Sequence, residues 1–98
     1  MPLFTIYALD VPNSGPGRAE HGTAHRERLK QAVEPVRVVV AGPLRDDDDK
    51  PIGSLLVVEA ASIDLVRDFV KADPYAANGI YDTVDIRPFA VTIGVLNG

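Results

Sequence analysis

The sequence predicts an α+β fold: one antiparallel sheet of four strands with two helices packed on a single face. Three observations lead there. Apolar runs of strand character alternate with two segments of helical periodicity, in the order strand, helix, strand, strand, helix, strand. A length of 98 residues leaves room for one hydrophobic core, so 1–98 is expected to be a single domain. Finally, the first and third strands are apolar at nearly every position and need cover on both faces.

Leu3 to Leu9 is the first strand, with Phe4, Ile6 and Ala8 on one face and Leu3, Thr5, Tyr7 and Leu9 on the other. Val11 to Gly17 holds two prolines, two glycines, an asparagine and a serine, the composition of a loop. From Arg18 to Glu34, His21, His25, Leu29, Ala32 and Val33 recur at three- and four-residue spacing, which places them on one stripe of a helix that ends before Pro35. Val36 to Ala41 is a β-branched second strand, closed by the Gly42-Pro43 pair.

Four consecutive aspartates, Asp46 to Asp49, then read as a solvated hairpin tip; a calcium loop would need spaced ligands and a glycine-centred turn. Ile52 to Ala60 is a third, central strand, apolar on both faces through Leu55, Leu56, Val57 and Val58. Ser62 caps a second helix with Ile63, Val66 and Val70 on its apolar side and Asp64 in its first turn, ending near Asp73 because Pro74 disfavours helical dihedrals before it. A connector from Pro74 to Tyr81 leads to a last strand, Thr83 to Val95. Its apolar phase switches from even to odd positions, so a bulge is expected at Arg87-Pro88.

This element order is the ferredoxin-like pattern, which leaves one sheet face without helices. An apolar sheet face is a larger patch than soluble monomers usually expose, so a homodimer built sheet to sheet is expected. The alternative is that the aliphatic excess reflects β-propensity alone and the outer face is partly wet.

Composition narrows the function. Fourteen acidic against ten basic side chains give a net charge of −4, which argues against a nucleic-acid partner. The absence of cysteine excludes disulfides, thiolate metal sites and thiol catalysis. No apolar run approaches the ~20 residues needed to span a bilayer and the start shows no leader pattern, so no membrane association and a cytoplasmic location are expected. A nucleotide cofactor is not suggested either, because no glycine-rich phosphate loop follows a strand.

His25 lies on the apolar stripe four residues before Leu29, so it faces the sheet and must find a partner; the plain alternative is a satisfied core histidine. With His21 it forms a His-x3-His pair, but no third histidine exists and no metal is expected. Asp73 stands at a helix C-terminus, where an acid opposes the macrodipole, which points to a specific partner. The pair can meet only if the Asp73–Tyr75 corner folds back over the sheet edge.

Ala24-His25 followed by Leu29, Ala41-Gly42-Pro43, Gly53-Ser54, Ala72-Asp73-Pro74-Tyr75, then Gly79, Tyr81 and Arg87-Pro88-Phe89, together resemble the YciI-like proteins from first strand to last. The Asp-Pro-Tyr segment with its downstream Gly, Tyr and Pro-Phe is the most specific part. The resemblance implies a dimeric α/β-barrel and a histidine-aspartate pair, here His25 and Asp73, in a cleft between helices and sheet. Most members have no established reaction; a few relatives act on chlorinated hydroxyquinols, and the wider superfamily includes muconolactone isomerases and small monooxygenases. The short proline-rich loop and the acidic hairpin depart from better-known members, so the architecture and the pair transfer and the substrate does not.

Two functions follow as expectations. One is a cofactor-independent isomerase, lyase or dehydrohalogenase acting on a small cyclic or aromatic molecule, with His25 as acid or base, Asp73 setting its tautomer, and Ser54, Tyr7 and Tyr75 donating hydrogen bonds to an oxyanion. The other is a non-catalytic dimeric module that binds a small molecule in the same cleft. A third, weaker idea has Asp46 to Asp49 dock a basic partner protein.

Overall fold

The computed structural model describes residues 1–96; the last two residues of the expected domain, 97 and 98, lie outside the described residues. The elements are β1 (Leu3–Asp10), α1 (Gly15–Gln31), β2 (Val36–Arg45), β3 (Pro51–Ala60), α2 (Ile63–Lys71), a one-turn α3 (Pro74–Ala77) and β4 (Tyr81–Phe89). The sheet is antiparallel throughout, in the order β2-β3-β1-β4, so the two strands with apolar residues on both faces are the central ones. This is the ferredoxin-like arrangement.

Register fixes which face meets the helices. Phe4 pairs with Val58 and Ile6 with Leu56, and these side chains are buried with Leu29 from α1 and Val66 and Val70 from α2 in one core. The period of two then puts Tyr7, Leu55, Val40 and Phe89 on the other face, where each is 40–48% exposed in the single chain.

Several boundaries differ from expectation for physical reasons. β2 runs through Gly42-Pro43, which pair with Leu55 and Ser54, and ends at Arg45. β2 is an edge strand, where a proline without an N–H is tolerated. The expected bulge at Arg87-Pro88 is absent: pairing continues from Asp85 through Phe89, and the register shift lies between Leu9 and Asp10, opposite Thr83 and Tyr81. β4 stops at Phe89 instead of Val95 because Phe89 pairs with Leu3, the first residue of β1, leaving residues 90–96 no stretch of β1 to join. The phase switch seen in the sequence is thus a strand end.

α1 begins at Gly15, with Pro16 in its first turn, so the preceding loop is shorter than the Val11 to Gly17 expected. The helix also ends sooner, at Gln31, and Val33 lies beyond it at 63% exposure. In the acidic hairpin the Asp46 carboxylate accepts from the Asp48 and Lys50 amides, and Asp49 pairs with Arg45 at 2.8 Å. Among the described residues no helix is long and apolar enough to cross a membrane.

Candidate functional site

His25 is buried on the sheet-facing side of α1, as its spacing to Leu29 requires. Its Nδ1 lies 2.8 Å from Asp73 Oδ1 and 2.9 Å from Oδ2. The corner that brings them together is α3. Asp73 sits just past Ala72, the C-cap of α2, and serves as the N-cap of α3, with its Oδ1 accepting from the Tyr75 amide at 2.8 Å. The electrostatic expectation is therefore corrected: the carboxylate faces the positive end of a new helical turn, where an acid is favoured.

Tyr75 follows two residues later and stacks on the imidazole, centroids 3.9 Å apart at 16°. On the far side of Asp73, Arg28 Nη1 approaches Oδ2 to 3.7 Å while its Nη2 donates to the Phe69 carbonyl at 2.8 Å. Among the described residues that Nη1 is buried without a hydrogen-bond partner, so Arg28 adds positive potential at the carboxylate without claiming its lone pairs. His21 is half-buried, 3.7 Å from Glu20, and among the described residues no group of acids and histidines is placed to hold a metal.

A second network adjoins the pair. Arg18 pairs with Asp10 through Nε and through Nη2, the latter at 2.9 Å from Oδ1, and Nη2 also donates to the Gly53 carbonyl at 2.8 Å and to Ser54 Oγ at 3.2 Å. Burial by itself lowers the affinity of Arg18 for its proton, but the hydrogen bond and charge of Asp10 outweigh it and raise the guanidinium above its usual range. Tyr81 donates to the same Ser54 oxygen at 2.9 Å. Burial pushes the Tyr81 phenol up to about 12, so it remains a donor at any ordinary pH.

Between α1 and the sheet lies a cavity of about 500 Å³. His25, Tyr75 and Ser54 line it, with apolar walls from Leu29, Leu56 and Pro43. Of the site residues expected from sequence, His25, Ser54 and Tyr75 line this cavity, and Asp73 stands behind it, bonded to His25 Nδ1. Tyr7 does not line it. It pairs with Leu55 and Asp85 on the face away from the helices, and Tyr81 is the tyrosine that reaches Ser54. Asp10, Arg18, Arg28 and Tyr81 were not anticipated as site residues. For Arg18 a signal existed, since it stands seven residues before His25 and so on the same helical stripe.

The YCII-related domain family profile matches residues 2–90. Protein YciI of Escherichia coli is 33% identical over 93 residues, covering 89% of this chain and 95% of that protein. An uncharacterised protein of Haemophilus influenzae is 32% identical over 92 residues, covering 88% and 94%. Among solved structures, 5-chloro-2-hydroxyhydroquinone dehydrochlorinase from Burkholderia phenoliruptrix, in complex with 2,5-dihydroxybenzoquinone, superposes with a TM-score of 0.75 at 32% identity, over 90% of this chain and 93% of that one.

Proposed function

Since the chain belongs to the YCII-related domain family, we propose that it is a cofactor-independent enzyme in which His25 and Asp73 perform general acid–base chemistry on a small cyclic or aromatic molecule. The observation that supports this most is the buried His25–Asp73 pair opening on a cavity of ring size. An ionised carboxylate can only accept, so Nδ1 carries the ring proton and Nε2 is left with the lone pair. In that tautomer His25 is a base, and Asp73 stabilises the imidazolium once a proton is taken.

Ser54 accepts from both Arg18 and Tyr81, which leaves its own hydrogen for an oxygen in the cavity. A substrate oxyanion is the natural acceptor. The step consistent with these parts is removal of a proton from a ring hydroxyl or an acidic C–H by Nε2. Its electron pair enters the ring, and either a leaving group departs with its bonding pair or the proton returns at another atom. The similar dehydrochlorinase is named for the first outcome, loss of HCl, which requires no external oxidant.

Chloride release from a chlorinated hydroxyquinol tests the reading. Replacing His25 by Ala should lower kcat/KM by roughly 10²–10⁴-fold, and nitrogen NMR of the wild type should find the proton on Nδ1. Turnover that survives His25→Ala would sink the catalytic reading and leave a small-molecule-binding module.

The sheet face without helices bears on assembly. We propose that it pairs with the same face of a second copy, because Tyr7, Val40, Leu55 and Phe89 form an apolar surface that a two-fold operation can match to itself.

A further inference from the structure

Arg18, Gly22, Arg26 and Lys30 follow one another at four-residue spacing, so they form a single stripe of α1 beside His25. Gly22 is buried, and a Cβ there would stand 2.9 Å from Arg26 Nη1 and 3.1 Å from Tyr75 Oη. The missing side chain is what lets the Arg26 guanidinium lie back along the helix towards the phenol that stacks on His25. Arg18, Arg26 and Lys30 all line the cavity, and among the described residues no carboxylate does.

These three cations are not equivalent. Arg18 is matched by Asp10. Among the described residues Lys30 has only an exposed contact with Glu27 at 3.8 Å, and Arg26 has no carboxylate within ion-pair distance. In a chain of net charge −4, a cavity mouth with two weakly compensated cations and otherwise apolar walls is a local reversal of the protein's field. Such a mouth draws in an anion, and its apolar walls favour a flat, carbon-rich one.

We propose that the cavity takes an anionic ring, a planar molecule bearing an ionised hydroxyl or a carboxylate, and that Arg26 with Lys30 are the residues that read its charge. This rests on the cavity being the reacting site. Arg26 and Lys30 hold the ionised group at the mouth, which presents the opposite edge of the ring to His25 and Ser54. They are specificity residues for charge, and His25 acts on the ring.

Calorimetric titration with 2,5-dihydroxybenzoquinone, a vinylogous acid ionised at neutral pH, tests this against its uncharged dimethyl ether. Wild type should bind the ionised ring at least about tenfold more tightly than the ether, with affinity falling as salt rises. The double variant Arg26→Met/Lys30→Met, which keeps the aliphatic stems, should lose roughly five- to tenfold for the anion and little for the ether. Arg67→Met, on the exposed side of α2, should change neither. Equal affinity of wild type for the two rings, an unchanged double variant, or failure of wild type to bind either ring would overturn the proposal. Charge selection that depends on Arg26 and Lys30 in a protein without His25-dependent turnover would uphold this inference and defeat the catalytic reading; the reverse pattern would do the opposite.

Discussion

At the scale of single residues, Tyr81 is the side chain whose setting makes the clearest pH statement. Its phenol is raised to about 12 by burial, so the folded state holds the proton where an unfolded chain releases it near 10. The sign follows: this contribution to stability is complete below pH 10 and is lost as pH rises from there to about 12. Tyr81→Phe should therefore flatten the alkaline fall in stability over that window, measured by denaturant unfolding at successive pH values. The same window with no difference between the two proteins would mean that the phenol is solvated. His25 was legible in the sequence because helical spacing turns a polar ring inward and an inward ring needs a partner; that the partner is Asp73 came from the family resemblance, since the acid caps a helix start instead of opposing a helix end. Tyr81 and Arg18 were harder to place, since they act through Ser54, 27 and 36 residues away in the chain. Tyr7 was misassigned for a related reason: alternation separates two strand faces but does not say which one the helices cover.

Among the elements, β1 and β3 meet closely at Gly53. A Cβ there would run into the Ala8 carbonyl oxygen, a backbone atom that cannot step aside. Gly53→Ala should destabilise the chain by about 1–3 kcal/mol, read as a lower denaturation midpoint. It should also weaken the site, because the Gly53 carbonyl is one of the acceptors that fix Arg18. An unchanged midpoint would show that the strands can part at little cost. The order and type of the four strands and the two longer helices were readable from periodicity together with turn and cap residues. The ends were not, because they depend on partners: Pro43 stays in β2 because that strand is at an edge, and β4 stops where β1 runs out. The one turn of α3 lay hidden in Pro74 to Ala77, a stretch too short for any period to show.

For the whole molecule, the proposed pairing predicts a sedimenting species of twice the 10.5 kDa chain mass at micromolar concentration. Leu55→Asp should shift it towards the single chain, since that side chain is already 40% exposed there and the change disturbs the face more than the fold. A wild type that sediments as one chain would rule the pairing out. In the sequence, the case for such a pairing rests on strands apolar on both faces, and the sedimentation experiment decides it. The cavity and the uncovered face lie on opposite sides of one sheet, separated by its thickness. Two copies joined through those faces would have their mouths turned outward, with no side chain shared between them. Each subunit would then answer its ligand alone, giving hyperbolic saturation without cooperativity, and the partner's effect would be felt in how long a subunit survives between unfolding events.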